Sequence, residues 1–503
     1  MKSSLVLITI DCMRADHAGW LGYEKPTTPF LDGLAKESIV FEKAVAAGAP
    51  TYYSFPSIMA ARYPLALGRD VIGLAPGEDS LATGLSREGY QTAAFLAGNP
   101  YLSEHFNYHE GFDIFEDFLG GESAIAPGPA VPERRESPAD SFRSRMNHVL
   151  RGLARKTGPS EAIYNEAYFR YCHRVSLKNQ NGNIDGFRRY PDAKQVVNAA
   201  IEWLNASAPG PFFLWVHLMD PHHPYFPPRE ALAAMCTEGL SGARSVYLNS
   251  FWNRHDLGAD RLDKLRDEVV GLYDAGIRWA DAQISRLVDH LRELGKWDET
   301  ALVATSDHGE EFLEHKGRFH WPWKLTEELV RVPLLLRVPG AVDVRKISST
   351  FSLIDLAPTI VDALGLGSKS IGEGKSCWTD IGAGKTWEYP LITECVRGCT
   401  NPWRRETRAG ERLMSVRDSR FKLVLNFGEH GEELFDLERD PHEHAPLKGA
   451  AHQAVKRELL EVARDHIRRS SSAAERANRF RARLDYAASA LRGPKAHGSL
   501  LVN

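Results

Sequence analysis

The chain has 503 residues, a formal net charge of −4 and six cysteines. That length exceeds what one small core fills, so one large domain with appended parts is expected. Near-neutral charge without a basic block before the C-terminus excludes nucleic acid as an obvious partner, and no run of about 18 apolar residues marks a membrane span. The cysteines (Cys12, Cys172, Cys236, Cys377, Cys395, Cys399) are sparse and form no zinc-ribbon spacing, which fits a reducing, cytoplasmic location. Cys395 and Cys399 read as two buried thiols, with pairing or metal binding as the alternative.

In chain order, Leu5 to Ile10 is an apolar run that closes on Asp11, too short and too early for a signal peptide, and reads as the first core strand. Cys12-Met13-Arg14-Ala15-Asp16-His17 follows as a polar cluster just past the strand end. Thr28 to Glu37 fits a helix opened by Pro29, with Phe30, Leu31 and Leu34 on one face, and returns the chain to a strand near Ile39 to Phe41. Strand, helix and strand in this order imply a right-handed parallel unit. From Gly48 to Pro64, hydroxyls follow Gly and Pro ahead of an apolar stretch, the pattern of a helix N-terminus. Such a terminus favours a bound anion or an attacking oxyanion, and a simple cap explains the same residues.

Gly120 to Asp140 is rich in Gly, Pro, Ala and Glu and reads as an insertion reaching to about residue 190. Tyr164 to Arg174 and Asp192 to Leu204 read as helices. Arg134-Arg135 and Arg188-Arg189-Tyr190 read as solvated loop charges, with guidance of an anionic substrate as the sharper alternative. Phe212 to Met219 is a strand whose His217 reads as a core histidine. Then Leu302 to Thr305 stops at Asp307-His308-Gly309, followed by Glu310, Glu311, His315 and His320. A buried strand whose carboxyl end opens onto acids and imidazoles is where open α/β sheets place ligand sites, and this donor mixture suits a divalent cation. The Asp307-His308 pair alone reads equally as a solvated turn. Beyond Pro446, Gln453 to Arg469 has amphipathic spacing, and Ser470 to Arg492 is rich in Arg and Ala.

ITIDCMRADHAGWLGY, TTPFLDGLAKESIVFEKAVAAGAPT, the RYP of Arg62 to Pro64, FFLWVHLMDPHHPYFPP and TSDHGEEFLEH stand in the order seen in the sulfatase family of the alkaline-phosphatase superfamily, which the chain resembles to about Leu447. LTEELVRVPLLLRVPG, IDLAPTIVDALGL and ELFDLERDPHE add to the resemblance. It implies an α/β, alkaline-phosphatase-like fold: a mostly parallel central sheet between helices, with a smaller C-terminal α+β subdomain. The expected division is a catalytic domain over 1–375, a subdomain over 376–447 and a helical tail over 448–503, through which a homo-oligomer is conceivable.

Carried over position by position, the resemblance makes Asp11, Thr51, Asp307 and His308 the metal ligands. Thr51 lies twelve residues before Tyr63, where the family places its nucleophile, and Ser54 is the fallback. His222 matches a histidine that contacts the transferring group, and His320 stands on the leaving-group side. Three departures follow. A threonine cannot be oxidised to the formylglycine of sulfatases; Cys12 stands where calcium enzymes carry a second aspartate; Phe55 replaces a supporting arginine, so anion stabilisation falls to Arg14, His222, His320 or the metal. Loss of a hard oxygen favours Mn²⁺ or Zn²⁺ over Ca²⁺, as one ion with a second left open. The expected function is metal-dependent hydrolysis of phosphate esters, diesters above all, through a covalent Thr51 intermediate, on a small-molecule, glycan-linked or lipid-linked anionic ester. The alternative is a sulfuric ester hydrolase. A phosphoryl-group transferase is the further alternative.

Overall fold

The computed structural model describes residues 2–120, 158–179, 187–340, 346–367, 371–429 and 431–470. Most of the expected insertion, with Arg134 and Arg135, and the tail beyond Ser470 lie outside the described residues.

The main sheet is built from β1 (Ser4–Ile10), β2 (Ile39–Val45), β3 (Gln91–Leu96), β4 (Ile114–Glu116), β5 (Phe212–Leu218), β6 (Thr300–Thr305), β9 (Arg331–Arg337) and β10 (Lys346–Ser352). β7 (Glu311–Phe312) and β8 (Arg318–Phe319) form a separate two-stranded hairpin. The eight strands run in the order β10-β2-β9-β6-β1-β5-β3-β4. β1 lies between β5 and β6, parallel to both, and only β9 runs against its neighbours.

Both faces of β1 are covered, which is why its sequence is mostly apolar on both faces rather than alternating, with Ser4 and Thr9 also buried. Leu5 and Leu7 pack with Tyr52, Phe55 and Ile58 of the helix Thr51–Ala60 on one face. Val6, Ile8 and Ile10 face the helices Ala193–Ala206 and Arg266–Glu293 on the other. At about 25 cal/mol per Å² of apolar area, this two-sided burial is the main favourable term holding the strand ends in place. A Cβ on Gly276 would lie 2.5 Å from the Asp220 carbonyl oxygen, so a glycine is what lets the Arg266–Glu293 helix pass directly beneath the Asp220 to His222 turn.

The first two strands are parallel, as expected, but they are not neighbours in the sheet. β1 and β2 point the same way, but β6 and the reversed β9 lie between them. Strand order is fixed by long-range pairing, which local spacing does not carry. The short helix Pro29–Leu34 is continued by a 3₁₀ turn, Ala35–Glu37, with Leu31 and Leu34 buried as expected.

β11 (Leu391–Val396), β12 (Arg412–Arg417), β13 (Phe421–Asn426) and β14 (Gly431–Asp436) form an antiparallel four-stranded sheet. The helix over 453–470 covers it, burying Leu459 and Ala463 against Leu423 and Leu434. A charged joint ties this sheet to the main one. Arg417 Nη1 donates to both Glu327 carboxylate oxygens at 2.8 Å, and buried Lys422 Nζ lies 3.0 Å from Glu327 Oε1 and 2.9 Å from Glu443 Oε1. All six cysteines are free thiols, and Cys395 and Cys399 are both buried. Among the described residues no helix is long and apolar enough to cross a membrane.

Candidate active site

The site forms where β1, β6 and the Thr51–Ala60 helix converge. Asp11 follows β1 directly, Asp307 and His308 follow β6, and Thr51 is the first residue of its helix. Thr51 Oγ1 lies 3.1 Å from His308 Nε2 and 3.4 Å from Asp11 Oδ2. All four residues are nearly or fully buried. The residues assigned by resemblance to one metal centre are therefore brought together.

Each imidazole is held by its other nitrogen. His308 Nδ1 donates to the Gly309 carbonyl at 2.9 Å, which leaves Nε2 as a lone pair facing Asp11 and Thr51. His217 Nδ1 bonds Thr9 Oγ1 at 2.9 Å, and its Nε2 lies 3.3 Å from Asp11 Oδ2. The core reading of His217 is half the account, because its free edge faces Asp11. Gly309 is needed for the local path: a Cβ there would lie 2.0 Å from the Glu328 carbonyl oxygen.

The hairpin β7/β8 folds the chain back so that His320 Nδ1 lies 2.8 Å from Glu310 Oε2 and 3.3 Å from Cys12 Sγ. Tyr225 Oη donates to Glu310 Oε1 at 2.8 Å. His222 follows β5, with Nδ1 donating to the His223 carbonyl at 2.5 Å and its ring 4.9 Å from that of His320. A shallow cleft opens beside His222, lined also by Arg188, Arg189, Tyr190, Asp220 and Phe226.

Some expected residues are placed elsewhere. Arg14 is no free anion binder: its guanidinium donates to Asp16 at 2.9 and 2.7 Å, to Glu314 at 2.5 Å and to the Glu310 carbonyl at 3.0 Å. The short Arg14-x-Asp16 spacing captures it. His315 turns toward Glu328 (3.6 Å) and the ring of His444, and does not join the cavity. Ser54 Oγ donates to the Asp307 carbonyl at 2.7 Å, which turns it away from Asp11 and His308 and fixes the loop that carries Asp307. Two site residues carried no expected role. Asn99 Nδ2 donates to Asp11 Oδ2 at 2.9 Å, and Glu310 orients His320. Asn99 lies just past the apolar run of β3, the same strand-end signal that marks Asp11 and Asp307.

Electrostatics follow from burial and from the imidazoles. Burial opposes ionisation of Asp11, but the His217 contact and the His222 and His308 imidazoles hold its carboxyl well below the usual range. Burial, and then the Asp11 charge, pushes Asp307 up. Burial lowers His222 to about 4. Burial also opposes protonation of His320, yet the adjacent Glu310 carboxylate raises it above its ordinary value.

Asp307 Oδ2 has no hydrogen-bond partner although the residue is fully buried. An unpaired buried carboxylate oxygen is costly unless a cation reaches it. Asp11, Cys12 and His308 also offer ligand atoms that all lie within 4.8 Å of one another. The donor set therefore fits a divalent metal ion, and the Cys12 sulfur stands beside it where the resemblance implied only a lost oxygen ligand.

The sulfatase family model matches residues 3–366, and a second, described as N-sulphoglucosamine sulphohydrolase, C-terminal, matches residues 316–468. The chain belongs to the sulfatase family. It is 25% identical over 484 residues to an arylsulfatase of Clostridium perfringens, covering 88% of this chain and 89% of that one. A structure solved with its substrate D-glucosamine-2-N,6-O-disulfate superposes with a TM-score of 0.63 at 17% identity, covering 94% of this chain and 99% of that one. The phosphonate monoester hydrolase of Agrobacterium radiobacter superposes with a TM-score of 0.59 at 19% identity, covering 94% and 96%. These likenesses support a hydrolase of the sulfatase superfamily. The family model and the arylsulfatase relative back the sulfate-ester alternative better than the phosphate-diester expectation.

Proposed function

We propose that the protein hydrolyses an ester whose transferred group carries one negative charge, a sulfate monoester first and a phosphonate monoester second, using Thr51 as nucleophile. The observation that carries this reading is the convergence of Thr51 Oγ1 on His308 Nε2 (3.1 Å) and Asp11 Oδ2 (3.4 Å) at a helix N-terminus. The singly charged group follows from the surroundings. Among the described residues, no lysine or arginine forms an ion pair with the carboxylates of Asp11, Asp307 or Glu310, so at the metal end a dianionic phosphomonoester meets three acids balanced only by imidazoles and the cation, with Arg188 and Arg189 lining the cleft beside His222. The sulfatase relatives favour sulfate, and the phosphonate monoester hydrolase neighbour favours the second reading.

Asp11, Thr51, Asp307 and His308 would hold the metal, with Mn²⁺ or Zn²⁺ suited to the mixed oxygen and nitrogen donors. When bound, the cation supplies Lewis-acid polarisation and lowers the cost of ionising the threonine hydroxyl. Thr51 Oγ1 loses its proton to solvent and bonds to sulfur as the ester oxygen departs. His222 contacts the transferring group. His320, held by Glu310, gives the departing oxygen its proton, a step worth roughly 10²- to 10⁴-fold. Water then attacks the sulfated threonine, gives its proton to His320 and restores residue 51. Thr51 needs no oxidation to an aldehyde in this scheme.

The test is a panel of aryl esters with one leaving group: sulfate, phosphonate monoester, phosphodiester and phosphomonoester, assayed with Mn²⁺ and Zn²⁺. The expected result is that sulfate or phosphonate leads and the phosphomonoester is slower by at least about 10²-fold, a barrier difference of about 2.7 kcal/mol. A phosphomonoester that leads the panel contradicts the singly charged reading, and a phosphodiester that leads contradicts the sulfate-first ranking drawn from the relatives.

A further inference from the structure

We propose that the cleft beside His222 receives the alcohol part of the ester, and that Arg189 binds a second anionic group, a carboxylate or a sulfate, carried on that alcohol. His222 borders both the cleft and the buried donor set, so the part of a substrate that projects from the donor set past His222 enters the cleft. The Arg188-Arg189-Tyr190 run, which its sequence alone leaves between solvated charge and substrate guide, lines that path.

The two arginines are used differently. Arg188 Nη1 lies 3.0 Å from Asp192 Oδ2, and the Asp192 side chain caps the helix Ala193–Ala206 by accepting from the Gln195 amide at 3.1 Å. Arg188 is therefore part of the brace that holds its own segment. Arg189 is exposed and forms no ion pair among the described residues, whereas other exposed arginines such as Arg87 and Arg292 pair with Asp79 and Asp289. The backbone that carries Arg189 is pinned on both sides: Phe187 stacks on Phe226 with ring centroids 5.8 Å apart, and Asp192 opens the helix. A cation on fixed backbone, at the edge of a concave surface and without an acid of its own, is placed for an acid that arrives with the substrate.

Its charge reaches the inner wall. Tyr190 stands edge-on to His222 with ring centroids 5.2 Å apart, so His222, Tyr190 and Arg189 form a row leading outward from the donor set. Burial, and then the Asp11 charge, pushes the Tyr190 hydroxyl up, and Arg189 opposes both. Burial lowers His223 to about 3, with Arg189 adding to the shift against the pull of Glu310. The acids of the cleft do not cancel this cation. Asp192 is taken by Arg188, and burial raises the Asp220 carboxyl to about 7, so it repels a bound anion less than an ordinary carboxylate would. A guanidinium offers a carboxylate or a sulfate two parallel N–H donors, which an ammonium cannot match. This rests on the hydrolase reading for where the ester lies, and deepens it by naming the class of alcohol.

The experiment takes the ester class that leads the panel and compares three aryl esters: a neutral ring, a ring carboxylate, and a ring sulfonate standing for a second sulfate. Full-length wild type is expected to favour a charged ring in kcat/KM, chiefly through KM, and Arg189→Ala to lower the charged-to-neutral ratio by at least about 10-fold. Comparing ratios between the two proteins cancels the substituent's effect on the leaving group, and the two charged rings tell which anion is read. Arg189→Lys should keep part of the ratio, and Arg229→Ala, which removes an exposed arginine outside the cleft, should keep all of it. A ratio unchanged in Arg189→Ala, or lost equally in Arg229→Ala, overturns the proposal. Calorimetry scores the same point without turnover: the carboxylated phenol should bind wild type at least about 10-fold more tightly than Arg189→Ala. If no ester is turned over, the hydrolase reading fails and calorimetry alone decides on Arg189, with equal binding by the two proteins counting against it.

Discussion

Two clusters of buried charge in this chain are satisfied in opposite ways. At the joint between the two sheets, Glu327 and Glu443 meet Arg417 and Lys422, two acids against two bases, with contacts between 2.8 and 3.0 Å. At the ends of β1 and β6, the carboxylates of Asp11, Asp307 and Glu310 meet imidazoles, a threonine, an asparagine, a tyrosine, a thiol and the backbone amides of Cys12 and His308, and no lysine or arginine among the described residues. Both clusters cost desolvation. The first offsets that cost within the chain and holds the subdomain in place. The second leaves Asp307 Oδ2 with no hydrogen-bond partner, 3.4 Å from His308 Nε2 and with no lysine or arginine among the described residues to balance its charge, which suits a cation the chain does not itself supply.

The largest expected break in this contrast comes from Asp307→Asn. Removing the orphaned negative charge should abolish metal binding and lower turnover by at least about 10³-fold, while the apo protein melts no lower than wild type. Metal analysis and calorimetry on the same sample check both halves. Glu327→Gln is the mirror experiment at the joint. Lys422 and Arg417 then share one acid, and stability should fall by about 3 kcal/mol, read by denaturant unfolding, with kcat/KM per folded molecule within about 2-fold of wild type.

Acid offers a smaller and graded version of that experiment. Burial opposes ionisation of Glu327, but Arg417 and Lys422 hold its carboxyl at about 2 when folded against an ordinary 4.5. A lowered carboxyl stabilises the fold above the unfolded value and loses that contribution as protons bind. The wild-type melting temperature should therefore fall as pH drops from about 4.5 toward about 2, with a flatter profile in Glu327→Gln. The smallest effect is expected from Ser54→Ala, which removes one donor to the buried Asp307 carbonyl and should cost about 1 to 2 kcal/mol of stability.

How much of this was legible in the sequence divides by the range of the interaction. β1 and β6 are buried on both faces and so appear as continuous apolar runs, and each run ends on the acid that the structure puts in the site. The spacing from Tyr63 back to Thr51 picked the hydroxyl that faces Asp11 over Ser54, which faces a carbonyl. The capture of Arg14 by Asp16 and Glu314 was not legible, because a polar residue past a strand end looks the same whether its partner is a ligand or a neighbour. Nor was the separation of His315 from His320, five residues apart in one loop, since the tight β7/β8 hairpin sends them to different sides. Asn99 reaches Asp11 from a third strand end, and only the strand order β1-β5-β3 brings it there.

The most direct test of the central claim, that an unmodified Thr51 is the nucleophile, is turnover of the fastest ester in the panel by Thr51→Ala, with Ser54→Ala as its companion and the mass of the peptide around residue 51 measured in wild type. The account predicts an unaltered threonine, a loss of at least about 10³-fold in kcat for Thr51→Ala and less than about 10-fold for Ser54→Ala. Retained turnover in Thr51→Ala, or the larger loss in Ser54→Ala, contradicts it.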